Sequence, residues 1–152
     1  MARGADRRTP TVVCLATAAL LVTGCDTGDT GGRVNHQDAG SVAVAYADAL
    51  FNGKTERGER LVDPTALRAY RVLAKVVVPA TTRAEHLRPG TVQVDGVKAK
   101  VTLLGTLCSA GGPGGATGEP TCQTSDDPDS SVPGLQVNLV KEGRDWFVYY
   151  PS

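Results

Sequence analysis

An α+β fold, with N-terminal helices packed on a curved antiparallel sheet, is predicted by the order of two hydrophobic periods. Apolar residues recur at helical spacing between Asp38 and Lys75, and from Val76 onward the spacing falls to two. Two turn signals, Asp95-Gly96 and Glu142-Gly143, sit between alternating runs and predict antiparallel neighbours. Runs of helices followed by runs of strands give a roll in which the helices cover the concave side of the sheet. A chain of 152 residues, 41% hydrophobic and 21% charged, has room for one such domain.

The chain does not begin with that domain. Arg3, Arg7 and Arg8 form a basic head, and Thr11 to Gly24 then run without a charge. A basic head before a short apolar run reads as a signal peptide. The run is shorter than the roughly 20 apolar residues a spanning helix needs. It closes in Leu21-Val22-Thr23-Gly24-Cys25, which resembles the lipobox of bacterial lipoproteins. That resemblance implies a diacylglyceryl group on the Cys25 thiol, cleavage between Gly24 and Cys25, and palmitate-type acyl chains holding the protein on the outer face of the cell membrane. Arg7-Arg8 hints at twin-arginine export, but Thr9-Pro10-Thr11 lacks the apolar pair that route prefers, which favours the general secretory route. The expected organisation is a signal peptide over 1–24, a lipidated Cys25 with a flexible Gly/Thr-rich tether over 25–37, and a roll over 38–152.

Within the roll, Val42, Ala45, Tyr46, Ala49 and Leu50 share one helical face, with Asp38 or Ser41 as cap and Asn52-Gly53 as stop. Glu56 to Val62 predicts a short helical turn. Asp63-Pro64 restarts a helix, with Asp as cap and Pro at the first position, and Leu67, Tyr70, Leu73 and Ala74 continue its stripe. Val76-Val77-Val78 reads as a short buried strand ended by Pro79. The turn at Asp95-Gly96 predicts Val94 opposite Val97 and Val92 opposite Ala99, so that Val92, Val94, Val97, Ala99, Val101 and Leu103 share a buried face while Lys98 and Lys100 face out. Ser109 to Gly134 reads as a long loop. Leu135, Val137 and Leu139 alternate again, and Trp146, Val148 and Tyr150 line one face of the last strand.

Net charge is +0, which removes the electrostatic footprint of a nucleic-acid binder. With Cys14 leaving in the signal peptide and Cys25 lipidated, Cys108 and Cys122 remain as an even pair outside the cytoplasm and predict a disulfide. No Cys-x-x-Cys pair or clustered His offers a metal site, and no cofactor motif is present. Gly111-Gly112-Pro113-Gly114-Gly115 lacks the Gly-Lys-Ser/Thr of a phosphate loop. Asp126, Asp127 and Asp129 lack the loop Gly and distal Glu of a calcium loop. Glu85-His86 stands beside no recognisable nucleophile.

The stretch VAVAYADALFNGKTERGERLVDP, Val42 to Pro64, resembles the opening of the nuclear transport factor 2-like superfamily: a first helix, an Asn/Ala-Gly turn, a short second helix, then Leu-x-Asp-Pro. LVKEGRDWFVYYP, Leu139 to Pro151, resembles that family's final hairpin. Taken with the lipobox and an Arg-rich, Ile-free composition typical of GC-rich genomes, the whole resembles an actinobacterial-type secreted lipoprotein with a nuclear transport factor 2-like domain of cystatin-like roll architecture. The resemblance implies a cavity between helices and sheet, lined by Tyr46, Tyr70 and Trp146. It also places Tyr46 where ketosteroid isomerases carry an oxyanion-donating Tyr, but no acidic residue falls at the matching base positions, and that chemistry needs a carboxylate in the cavity. The expected function is a membrane-anchored domain that binds an envelope protein or a small ligand and has no catalytic residue. The alternative is an isomerase- or hydrolase-like enzyme using the same cavity.

Replacing Cys25 by Ala is expected to release the protein into the medium or leave it uncleaved. Membrane fractionation and intact mass check this, and an unchanged acylated mass contradicts it.

Overall fold

A computed structural model of the chain describes residues 33–78, 80–110, 120–126 and 135–151. Gly24, Cys25 and the signal segment lie outside the described residues, as do the Gly111–Gly115 run and Asp127 and Asp129. Helices pack against a curled antiparallel sheet, which is the α+β class the two periods predict.

Helix α1, Ala39–Phe51, begins where a side chain stands in for missing backbone acceptors. The Asp38 carboxylate accepts from the Gly40 and Ser41 amides at 3.2 and 3.1 Å. Its far end is held by Asn52. That side chain donates to the Ala84 carbonyl at 3.1 Å and accepts from the Ala84 amide at 3.0 Å, as a paired strand would. Gly53 then turns the chain at φ +70°.

Helix α2, Thr55–Glu59, buries Gly58 against Tyr70. Asp63 caps the single 3-10 turn Pro64–Ala66 and accepts from the Thr65 amide at 2.7 Å. The Thr65 hydroxyl donates to the same carboxylate, and these hydrogen bonds hold the Asp63 carboxyl below the usual carboxylate range. Helix α3, Leu67–Val72, carries on as a π-helical turn over Leu73–Val77. The Val78 amide donates to the Leu73 carbonyl at 3.0 Å, a five-residue step.

That turn replaces the strand expected at Val76-Val77-Val78. A strand needs a neighbour to satisfy its backbone. Among the described residues no strand pairs with this segment, Val76 is 77% exposed, and the helix supplies the hydrogen bonds from within.

The sheet has strands β1 Thr82–Asp95, β2 Lys98–Ser109, β3 Thr121–Ser125, β4 Leu135–Glu142 and β5 Asp145–Val148. Its order is β1-β2-β4-β5, with β3 also on β2. The long β2 is shared: Lys98–Leu103 pair with β4, and Gly105–Ser109 pair with β3. Strand β3 lies inside the stretch expected to be loop. Composition hid it, because its residues are polar and its pairing is set by the bridge. Cys108 and Cys122 face each other directly in the ladder and form the expected disulfide.

The β1–β2 hairpin turns at Gly96-Val97, one residue later than expected, with Asp95 opposite Lys98 and Val94 opposite Ala99. The shift in pairing is two residues, so the faces are kept. Ala99, Val101 and Leu103 are buried, and Lys98 and Lys100 are exposed. Val92, Val94 and Val97, expected in the core, are 43%, 59% and 60% exposed, because the hairpin tip runs past what the helices cover. Two irregularities in β1, between Glu85 and Arg88 and between Pro89 and Val92, bend the strand. His86 sits at the first with φ +54°.

The core joins Val42, Tyr46 and Leu50 of α1 to Leu61, Val62 and Tyr70, and to Val101, Leu103, Val137, Leu139, Trp146 and Val148 of the sheet. Strand β5 is hydrogen-bonded on its outer side too: the Val148 amide donates to the Leu61 carbonyl at 2.8 Å, and the Asp63 amide donates to the Val148 carbonyl at 2.9 Å. Folded contacts start before Asp38. Val34 packs on the core, and the Trp146 amide donates to the His36 carbonyl at 2.8 Å, so residues 34–37 of the expected tether are docked on the domain.

A Cβ on Gly58 would lie 1.9 Å from the Tyr70 hydroxyl oxygen, and Tyr70 is fully buried. Gly58→Ala is therefore expected to destabilise the domain by about 1–3 kcal/mol, the usual range for overpacking. Urea unfolding checks this, and a loss too small to resolve contradicts the packing described.

Candidate functional site

A cleft of about 450 Å³ opens between α1, the end of the π turn and the sheet. Its size is that of small-molecule sites in general. Leu50 and Phe51 of α1, Leu73, Leu107 of β2, and Leu135 and Val137 of β4 give it an apolar wall. Polar groups are interspersed: the Tyr46 and Tyr150 phenols, Thr82, Ser109, Gln136, Asn138 and Tyr149.

Two of these meet. The Tyr46 and Tyr150 hydroxyl oxygens are 2.7 Å apart, across 104 residues of sequence. Tyr46 is held on the inward face of α1 by the burial of Val42 and Leu50, one turn to either side. Tyr150 follows β5 and is half-buried. Burial pushes the Tyr46 phenol far above the ordinary range, and its hydrogen bond with Tyr150 pushes the same way. Burial also raises Tyr150, but there the bond to Tyr46 works in the opposite sense. Either hydroxyl can be the donor, so one O–H is engaged within the pair and the other is left over.

Tyr70 stands behind this pair. Its ring lies 5.8 Å from that of Tyr46, its hydroxyl donates to the Thr55 carbonyl at 3.3 Å, and burial pushes its phenol up to about 12. Tyr70 supports the wall without reaching the cleft. Trp146 is likewise a core residue, with the Lys141 ammonium 5.5 Å from its ring centre. Of the three aromatics expected to line a cavity, Tyr46 lines this cleft, while Tyr70 and Trp146 pack in the core. Tyr150, Leu107, Thr82 and Asn138 were missed as lining residues, because their approach to Tyr46 depends on how the sheet curls.

The described lining residues carry no carboxylate and no imidazole. His36 lies against the Phe147 ring at 6.2 Å, and His86 is exposed on β1. Among the described residues, no three of His, Cys, Asp and Glu come together as a metal site would require.

No protein-family model matches the sequence, and no curated protein matches it. Among solved structures, a SEC-C-motif-containing protein from Rhodopseudomonas palustris, determined in solution, is similar at TM-score 0.48 and 11% identity, over 76% of this chain and 78% of that one.

Phenols that hold their protons more tightly when folded stabilise the fold fully below the ordinary phenol pKa. That stabilisation is lost as pH rises through the folded value. For Tyr70 the window runs from 10.0 to about 12. The urea midpoint is expected to fall across that window, and Tyr70→Phe should flatten the fall. A midpoint equally pH-dependent in the variant would contradict the burial of this phenol.

Proposed function

We propose that the chain is a membrane-anchored, extracytoplasmic lipoprotein whose roll, of the nuclear transport factor 2-like kind, binds an uncharged apolar small molecule without transforming it. The observation that carries this reading is the Tyr46–Tyr150 hydroxyl pair in a mostly apolar cleft. Both phenols are held protonated by burial, so neither is a base at neutral pH. With one hydroxyl donating to the other, one phenol O–H of the pair is left to donate. A neutral phenol donor in a mostly apolar hollow suits a ligand with a neutral oxygen acceptor, a ketone or an alcohol on a hydrocarbon frame.

The isomerase-like alternative places a carboxylate within about 2.6–3.2 Å of the proton to be moved. The partner that Tyr46 has at that range is another phenol. Anchoring rests on the basic head, the apolar run and the Leu21–Cys25 box. No helix among the described residues is long and apolar enough to cross a membrane.

The neutral naphthyl ketone prodan is a fitting probe, since its emission reports both apolar surroundings and a hydrogen bond to its carbonyl. The chain from Cys25, with Cys25→Ser to remove the acyl site, is expected to bind it saturably at one site. Leu107 and Leu135 are partly exposed lining residues, so Asp at both is tolerated by the fold but charges the cleft. That double variant should weaken binding at least about tenfold, equivalent to about 1.4 kcal/mol. Unsaturable binding, or binding indifferent to the two carboxylates, contradicts the proposal.

A further inference from the structure

The outer face of α3 and its π turn carries a second surface, distinct from the cleft. Leu67, Arg68, Arg71, Val72, Lys75 and Val76 line a shallow groove there. Val72 and Val76 are 53% and 77% exposed, the two most open large apolar side chains of the helical layer. Arg68 and Lys75 flank them, exposed and without an ion pair among the described residues, while Arg71 is held by Glu59 at 2.7 Å. Bare β-branched residues set among cations on one side of a helix are a poor surface for water and a good one for an anionic, partly apolar layer.

Charge along the sequence is segregated in the same sense. From Lys54 to Lys75 there are six basic residues and three acidic ones, a net +3. The rest of the chain from Cys25 onward has seven basic and twelve acidic, a net −5. The chain from Cys25 onward, weakly acidic at a net −2, therefore concentrates its positive charge in the stretch that holds α2 and α3.

We infer that this face of α3 docks on the surface of an anionic phospholipid membrane, with Arg68 and Lys75 against headgroup phosphates and Val72 and Val76 at the acyl boundary. Lysine and arginine near an anionic leaflet are attracted by its surface potential, and apolar side chains beside them gain by leaving water. Distance favours the same occupant, and this part alone rests on the lipid anchor proposed above. Since Val34 already packs on the core, at most eight residues lie between Cys25 and the domain, a span of at most about 32 Å. A domain tethered so closely stays within reach of the headgroups.

The test uses the chain from Cys25 carrying Cys25→Ser, so that docking is read without an acyl chain and stands or falls apart from lipidation. Co-sedimentation is measured with vesicles of phosphatidylcholine alone and with one-third phosphatidylglycerol. Binding to the second, absent from the first and weakened by salt, is expected. Arg68→Glu with Lys75→Glu should weaken it at least about tenfold. Val72→Ser with Val76→Ser should weaken it as well, and because all four side chains are exposed the melting temperature should not change. Equal affinity for both vesicles, no binding to either, or indifference to both double variants overturns the inference. So does a dimer that the valine variant dissolves, since the face would then be covered by a second copy of the chain.

Discussion

Helix α1 is enclosed on nearly every side, and its small residues set how near everything else can come. Ala39, Gly40, Ala43, Ala47 and Ala49 are all buried. A Cβ on Gly40 would lie only 3.2 Å from the Pro89 side chain, so β1 passes closer there than a larger residue would allow. The larger residues, Val42, Tyr46 and Leu50, are spaced one turn apart and fill the hollow of the sheet. A curled sheet around a thin, mostly apolar helix buries the helix but leaves space beyond its C-terminal half, where Leu50 and Phe51 face the cleft. Cleft and core thus follow from one packing decision: small residues where the sheet must approach, large ones where it stands off.

What could be read from the sequence divides along the same line between local and distant causes. Asp38, Asn52-Gly53 and Asp63-Pro64 behave as expected because a cap or a turn is decided within four residues. The disulfide was legible because counting cysteines does not require knowing the fold. Val76 to Val78 misled because β-branched residues favour strands only where a neighbouring strand exists. Val92, Val94 and Val97 misled differently. Their faces were right, but no pattern along a strand says how far the covering helices extend. The period of two also fails at Leu103 and Leu104, which are both buried, because Gly105 at φ +146° and the bends in β1 turn the local surface. Tyr46 was identifiable from its helical spacing, whereas its partner Tyr150 was recognised only as one residue of a strand face, since their meeting is a product of the whole curl.

The chemistry of the cleft is governed by what burial does to a phenol. In water, a phenol is a weak acid; out of water, its anion loses far more than its neutral form, and the proton stays. The Tyr46–Tyr150 pair therefore stays neutral, with one of its two O–H groups left to donate. In the proposed reading such a pair orients a neutral ligand, whereas a proton-transfer step needs a group that changes state near neutral pH. The apolar wall gives breadth of fit and the phenol gives direction, the division of labour expected of a site that binds.

The most direct test of that account is amide chemical-shift mapping of the lipid-free chain titrated with prodan. The account predicts shifts concentrated at Leu107, Leu135, Asn138 and Tyr150, saturating together, with little change at the β1–β2 hairpin tip where Val92, Val94 and Val97 are exposed. Shifts centred on that tip, or scattered without a common saturation, would show that the cleft beside Tyr46 is only a gap in the packing.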